Sequence, residues 1–269
     1  MVSQVESKNP SEIALKEGKY IYCIVDSSQS QTFGPLGIGG RGDELYTICF
    51  NDIGAVVSSS PIKQYPVSRE NVMAHEKAIE EVMKYYTVLP VRFVTIARDE
   101  EKVKKILEVE HNKFKEKLQF IKDKKELGLK AIFREEVIYQ EISAKYQDIK
   151  ALKERLLNQS PEKTHYERMQ IGKMVEDALE KEKKIYKEKI LDDLSPLAVE
   201  VKLNYNYGEC MIINAAFLIE KNQEQEFDQR VQQLNEKFGD KIRFKYLGTI
   251  PPANFVNLII VTDESDVSP

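Results

Sequence analysis

The chain has 269 residues, of which 42% are hydrophobic and 31% are charged. This composition is typical of a globular protein with solvated helices and excludes wholesale disorder. Forty basic residues against 44 acidic residues give a net charge of −4. Because no long run of one sign supplies a phosphate-binding surface, nucleic acid is not an expected partner.

The opening residues and the apolar runs indicate a protein that stays in the cytoplasm. Residues 1–19 are polar and lack hydrophobic periodicity, so we expect a mobile tail without a secretory signal. The most apolar run, 211–219, is about half as long as a bilayer-spanning helix, so no contact with a lipid membrane is expected. Three widely spaced cysteines predict reduced thiols rather than a disulfide framework.

The first predicted elements are a strand, a hairpin and a helix. Residues 20–25 are β-branched and aromatic, which predicts a strand, and a glycine-rich loop follows at 34–42. Two further strand-like runs flank Asn51-Asp52, residues that tolerate the turn of a tight hairpin. From Ser68 onwards, apolar residues recur every three or four positions, which predicts one buried stripe along a helix.

A strand, a helix and a further strand complete an N-terminal domain. Residues 89–96 return to strand character, Asp99 caps a helix whose apolar face extends to Ile121, and a strand-like run follows at 127–133. This order is close to that of a ferredoxin-like α+β sandwich with one helix missing or shifted, and such a layer buries one sheet face. We therefore predict a ferredoxin-like domain at 20–134.

The C-terminal part, 135–269, predicts a second α+β domain. Its segment 135–194 is helical and highly charged, breaks once near Pro161, and ends at Ser195-Pro196. Two strands, a helix and two more strands follow, and the last of them is the nearly continuous apolar run 256–261. The predicted fold class is α+β, with two small antiparallel-sheet domains joined by charged helices.

Motifs that carry chemistry are weak in this chain. Residues 37–42 match the G-x-G-x-x-G spacing of a dinucleotide site, but a strand-like run follows instead of a helix, so a flexible loop is the preferred interpretation. His75 and His111 lie on apolar helical stripes without a second ligand at metal spacing, which favours packing roles. No nucleophile-elbow signature occurs. We therefore expect no enzyme, and neither a metal nor a cofactor.

Seven stretches taken together resemble the gas vesicle protein F/L family. They are residues 20–25, 53–58, 74–77, 87–93, 126–130, 214–218 and 251–256. The segment 165–174 is closer to the F branch than to the L branch. Two places depart from the family's pattern: Val94 stands where the family usually has glycine, and 248–253 differs from its Gly-Pro-x-Pro-Pro-Tyr element.

The resemblance implies an accessory or minor structural component of gas vesicles that takes part in their assembly. The implied location is the gas vesicle, and the implied partners are the small hydrophobic shell protein and other gas vesicle accessory proteins. A shell subunit with one apolar face would aggregate if released bare. We expect this chain to shield that face through a sheet edge or through an apolar groove between its domains.

Four residues of the matched stretches are the candidate contacts with a partner. They are Arg92, Pro251, Pro252 and Phe255. Leu89 and Phe93 are expected to share a strand face and to fill the core, while Arg92 points to the other face. An ordinary ion pair with a nearby acid is an equally weighted interpretation of this arginine.

Two other classes of function stay open. Paired ferredoxin-like units can hold a metabolite, so a small-ligand-binding regulatory α+β module is the alternative, and a converging polar pocket would favour it. A hydrolase or transferase would show titratable groups in hydrogen-bond geometry within a cleft.

Overall fold

The structure of the protein is a computed structural model that describes residues 16–156, 159–160, 163–256 and 258–260. Its contacts divide the chain into a first unit, Met1–Lys122 with Val256–Pro269, and a second unit, Asp123–Phe255. Each unit combines an antiparallel sheet with helices. The α+β class with two antiparallel sheets is confirmed, while the ferredoxin-like assignment stays a prediction.

In the part of the first unit that the structure describes, the sheet has five strands. They are β1 (Glu17–Val25), β2 (Tyr46–Phe50), β3 (Ile53–Pro61), β4 (Val88–Pro90) and β5 (Ile96–Ala97). Their order is β2-β3-β1-β4, β5 also pairs with β1, and all pairs are antiparallel. The predicted hairpin joins β2 to β3, and its turn residue Asn51 has a φ of +53°, a conformation that asparagine tolerates.

Helices cover both faces of this sheet. Helix α1 (Arg69–Met83) and the glycine-rich loop pack on one face, and α2 (Glu100–Val109) and α3 (His111–Ile121) pack on the other. The expectation that only one face of the sheet is buried is therefore wrong, because β1 supplies apolar side chains to both faces. The single helix predicted after Asp99 is two helices that meet at Glu110.

The predicted domain boundaries differ from the two units. Of the predicted tail, residues 1–15 lie outside the described residues, and Glu17 already begins β1. The contacts divide the chain after Lys122 rather than after residue 134, since within the described ranges the next strand pairs with strands of the second unit. This difference arises from pairing between strands that are distant in sequence.

The sheet of the second unit has four strands. They are β6 (Lys124–Phe133), β7 (Glu200–Leu203), β8 (Met211–Glu220) and β9 (Ile242–Ile250). Their order is β7-β8-β6-β9, and all pairs are antiparallel. Strands β7 and β9 are therefore the edges of the sheet as far as the structure describes it.

Within the described residues, the second unit has four α-helices, whose apolar side chains form one core with one face of its sheet. They are α4 (Glu135–Lys145), α5 (Gln147–Leu156), α6 (His165–Leu194) and α7 (Glu224–Phe238). The helical segment therefore breaks at Tyr146 in addition to the predicted break. No helix within the described ranges is long and apolar enough to cross a membrane.

The strand predicted at 256–261 is not formed by the residues of that run that the structure describes. Val256 and Leu258 are buried in the core of the first unit around α2 and α3, and neither has strand geometry. A continuous apolar run thus reflects burial here, without a sheet ladder.

Candidate functional site

The pinned segment, residues 91–95, follows β4 in the first unit. Its main chain is fixed at both ends by β1: the Val91 N–H donates to the Tyr22 carbonyl at 2.9 Å, and the Thr95 carbonyl accepts an N–H at 2.8 Å. Within the segment, Thr95 Oγ1 donates to the Arg92 carbonyl at 2.7 Å. These bonds hold an irregular stretch of backbone in one conformation.

A buried tyrosine–histidine pair adds two more hydrogen bonds to the pinned segment. His75 of α1 is 6% exposed, with Nε2 3.2 Å from the Val91 carbonyl oxygen and Nδ1 3.1 Å from the Tyr20 hydroxyl. That hydroxyl also accepts the Val94 N–H at 2.9 Å. Since a carbonyl only accepts, Nε2 carries the proton, and the hydroxyl donates to Nδ1. Both side chains therefore have their hydrogen bonds satisfied with a neutral imidazole.

Burial sets the charge of this pair. It lowers the pKa of His75 to about 4, against an opposing effect of the Val91 carbonyl, and it raises the pKa of the Tyr20 hydroxyl. The rings of Tyr20, Tyr22 and Phe93 surround the imidazole at centroid distances of 5.6 to 5.7 Å. The predicted packing role of His75 is confirmed, and the pair is suited to positioning the backbone.

The pinned segment presents Arg92 to solvent. The side chain is exposed, and its guanidinium forms no ion pair or hydrogen bond with any residue in the described ranges. Nearby, Val94 has a φ of +63°, a left-handed conformation that costs a residue with a Cβ about 1–2 kcal/mol. Such strain persists where surrounding contacts impose it and is frequent at functional sites. An unpaired cation on a fixed, strained backbone makes this segment the candidate binding surface.

Leu89 and Phe93 do not share a face as predicted. Leu89 of β4 packs with the cluster around α2 and α3, whereas Phe93 packs against His75 on the α1 face. Strand β4 ends at Pro90, and the left-handed backbone at Val94 redirects the chain. Strand alternation therefore does not extend as far as Phe93.

The other three candidate contacts lie in the second unit, in the loop 251–255. Phe255 is 7% exposed and packs on β8, Pro252 is buried, and Pro251 is partly exposed. Phe255 thus fills the core of its own unit. A contact of these three residues with a partner stays a prediction.

A buried carboxylate holds that loop. Glu126 of β6 is 0% exposed and accepts the Asn254 N–H at 3.0 Å and Asn254 Nδ2 at 2.5 Å. Lys202 of β7 donates to the Asn254 carbonyl at 2.8 Å, with its Nζ 5.3 Å from the ring centroid of Phe255. Burial raises the pKa of Glu126, against the opposing hydrogen bonds of Asn254. Two stretches that carry the family resemblance therefore meet in this contact.

The glycine motif forms a loop that leads into a strand. Residues 37–42 precede β2 and open no helix, so the dinucleotide geometry is not present. Within the loop, the Ile38 N–H donates to the Tyr22 hydroxyl at 2.7 Å.

Metal-ligand clusters are not found in the part of the chain that the structure describes. No three His, Cys, Asp or Glu side chains converge there as metal ligands would. A depression of about 670 Å³ runs along α7 and has a polar lining. It is lined by Asn222, Gln225, Glu226, Gln229, Arg230 and Gln233. Side chains from one helix and its preceding turn do not converge, so this depression does not favour the small-ligand alternative.

Known gas vesicle proteins resemble this chain along most of its length. The family model of the gas vesicle synthesis protein GvpL/GvpF matches residues 18–257. Gas vesicle protein F of Dolichospermum flosaquae is 26% identical over 242 residues, which cover 89% of this chain and 97% of that protein. Gas vesicle protein F of Haloferax mediterranei is 22% identical over 253 residues, which cover 93% of this chain and 98% of that protein.

Two crystal structures have a similar fold. GvpF from Anabaena sp. PCC7120 has a TM-score of 0.76 at 26% identity, and GvpF from Microcystis aeruginosa has a TM-score of 0.73 at 25% identity. Each match covers 90% of this chain and 99% of the other. The names of these relatives describe gas vesicle proteins, and none describes an enzyme. Because the family model spans most of the residues, the chain belongs to the GvpL/GvpF family of gas vesicle synthesis proteins.

Proposed function

We propose that this chain is an accessory or minor structural protein of gas vesicles that binds the hydrophobic shell protein during assembly. The observation that carries the proposal is the family match over residues 18–257, since the relatives are gas vesicle proteins along almost their full lengths. The protein acts at the gas vesicle and in the surrounding cytoplasm, together with other accessory proteins, and it catalyses no reaction.

The pinned segment supports a binding role. Its backbone is fixed before a partner arrives, so binding through Arg92 loses little backbone conformational entropy. An arginine fork matches a carboxylate or a pair of acceptor oxygens. The partner surface that fits combines such acceptors with the apolar face that a shell subunit must keep away from water.

The loop 251–255 is the second part of the proposal. Pro251 is the partly exposed member that a partner can touch directly. Pro252 and Phe255 are both buried and therefore help to hold the conformation of the loop. We expect changes at Phe255 to affect binding through stability of the second unit.

Co-expression with the shell protein, followed by purification of the tagged chain, tests the proposal. We expect the wild type and Arg230→Ala to retain the shell protein and Arg92→Ala to retain about tenfold less. Arg230 is a suitable control because it is a half-exposed arginine of α7, 3.8 Å from Glu226. A wild type that retains no shell protein would refute the binding role. Equal retention by the two variants would refute Arg92 as the contact.

A further inference from the structure

Strand β7 leaves one side of the second unit's sheet open. It pairs with β8 on one side only in the described sheet. Just beyond it, the Asn204 N–H donates to the Asn214 carbonyl at 2.7 Å. Because main-chain groups alternate in direction along a strand, those of Val201 and Leu203 point to the open side. Such an edge is a site for strand addition.

Apolar side chains line this edge. Val199, Leu203, Tyr205 and Tyr207 are 50%, 49%, 77% and 68% exposed. Leu203 ends β7, Val199 lies just before this strand, and Tyr205 and Tyr207 lie just after it. The two tyrosine rings are 5.2 Å apart between centroids. Single exposed apolar residues are ordinary, but four close together in and beside one edge strand indicate an interaction surface.

The charges of β7 indicate which partner fits. The side chains of Glu200 and Lys202 lie on the same face of β7, with Oε1 and Nζ 3.6 Å apart. These side chains are 41% and 42% exposed. In an antiparallel pair centred on Val201, Glu200 of one copy lies opposite Lys202 of the other, twice by symmetry. The same register sets Val199 opposite Leu203. Both faces of β7 are therefore complementary to a second β7, one in charge and the other in apolar character.

The other edge of the sheet lacks this property. Arg243 and Lys245 of β9 are both exposed, and an antiparallel pair centred on Phe244 would set these two cations opposite each other. Like charges directly opposite each other destabilise a strand pair. Self-pairing centred on Val201 is thus compatible with β7, whereas self-pairing centred on Phe244 is disfavoured at β9.

We propose that the protein forms a two-fold symmetric dimer through β7, with Val201 of each copy exchanging both main-chain hydrogen bonds with Val201 of the other. The two four-stranded sheets then form one continuous antiparallel sheet. The dimer needs no shell protein, so it goes beyond the proposed function and is tested separately from it.

Sedimentation of the purified full-length chain over a concentration series, without shell protein, tests the dimer. We expect a monomer–dimer equilibrium in the wild type. Glu200→Lys and Lys202→Glu should each weaken dimerisation about tenfold, because each creates two like-charge pairs across the symmetry axis. An equimolar mixture of the two variants should regain the wild-type affinity, since opposite charges then face each other again.

A second pair of variants controls for folding, because Lys202 also bonds the Asn254 carbonyl. Leu203→Lys should weaken the dimer, whereas Leu247→Lys on β9, at a residue 54% exposed, should leave it unchanged. A wild type that stays monomeric at every concentration would overturn the proposal. So would a dimer that neither the charge reversals nor Leu203→Lys weakens. A monomer whose Leu203→Lys variant alone loses the shell protein would assign the edge to that partner and exclude self-pairing.

Discussion

In each unit, buried polar side chains fix one short segment of backbone, and the two segments differ in what they expose. In the first unit the neutral Tyr20 and His75 hold the pinned segment, and Arg92 faces solvent. In the second unit Glu126 holds the loop 251–255, and its aromatic residue faces the core. A buried polar anchor thus exposes Arg92 to solvent in the first unit and places Phe255 in a hydrophobic cluster in the second.

The two anchors respond to pH with opposite signs. The folded-state pKa of His75 lies below its usual 6.5, so its contribution to stability is present above about pH 6.5 and is lost as the pH falls towards 4. The folded-state pKa of Glu126 lies above its usual 4.5. Its contribution is fully present below pH 4.5 and is lost as the pH rises through the folded-state pKa. Acid therefore lowers the contribution of His75 to stability and restores that of Glu126.

Acid should remove the first anchor's contribution to stability. Between pH 6.5 and 4, the wild-type first unit should lose about 3 kcal/mol of unfolding free energy that a His75→Phe variant does not lose. At pH 7 the variant itself should be about 2 kcal/mol less stable, because the Tyr20 hydroxyl and the Val91 carbonyl lose a partner. Urea unfolding followed by the NMR signals of β1 measures both quantities. Parallel pH profiles for the two proteins would contradict the neutral-histidine anchor.

The second anchor should respond to a change at Asn254. Asn254→Ala removes one donor from the buried carboxylate of Glu126 and should cost about 2 kcal/mol at pH 7. The loss should shrink at pH 4, where a protonated carboxyl has less need of that donor. Urea unfolding followed by β8 signals measures it, with the exposed Asn222→Ala as the control. A loss that grows as the pH falls would show that the charge of Glu126 is not what the bond stabilises.

Backbone strain in the pinned segment should reverse the usual order of glycine and alanine. At Val94, with its φ of +63°, the Val94→Gly variant should be about 1 kcal/mol more stable than Val94→Ala, because glycine tolerates left-handed backbone. At Val109 in α2 the order should be the ordinary one, with alanine more stable than glycine. Thermal unfolding of the four variants measures both differences. If the alanine variant is the more stable one at both positions, the backbone at Val94 is not strained.

Arg92 itself should contribute little to stability. Arg92→Ala should change the unfolding free energy by less than about 0.5 kcal/mol, since its guanidinium is exposed and unpaired within the described ranges. Urea unfolding measured in parallel with wild type provides the comparison. A loss above about 1 kcal/mol would mean that Arg92 has a structural partner, which was the other interpretation of this residue from sequence.

Local patterns predict those parts of the fold that depend on neighbours in sequence. The hairpin at Asn51-Asp52 and the buried stripe of α1 through His75, Ile79 and Val82 are confirmed. Turn chemistry and three-to-four spacing are properties of a few adjacent residues, so a single sequence contains them.

Partners that are distant in sequence are not predictable in the same way. Tyr20 and His75 are 55 positions apart, and Glu126 and Asn254 are 128 apart, and no pattern near either residue specifies the other. Both anchors lie in or beside stretches that carry the family resemblance, which was the only signal for them in the sequence. The same cause separates the predicted boundary from the division by contacts, because β6 pairs with β8 and β9.

Retention of the shell protein by a Tyr20→Phe variant tests whether the fixed backbone makes Arg92 a binding residue. This change keeps Arg92 and the aromatic ring but removes the hydroxyl that bonds the Val94 N–H and His75. Tyr22→Phe is the matched control, because its hydroxyl bonds Ser58 and the Ile38 N–H instead. We predict that Tyr20→Phe loses retention towards the level of Arg92→Ala while the control resembles wild type. Equal, wild-type retention by both tyrosine variants would contradict the claim that a fixed backbone makes this arginine a binding residue.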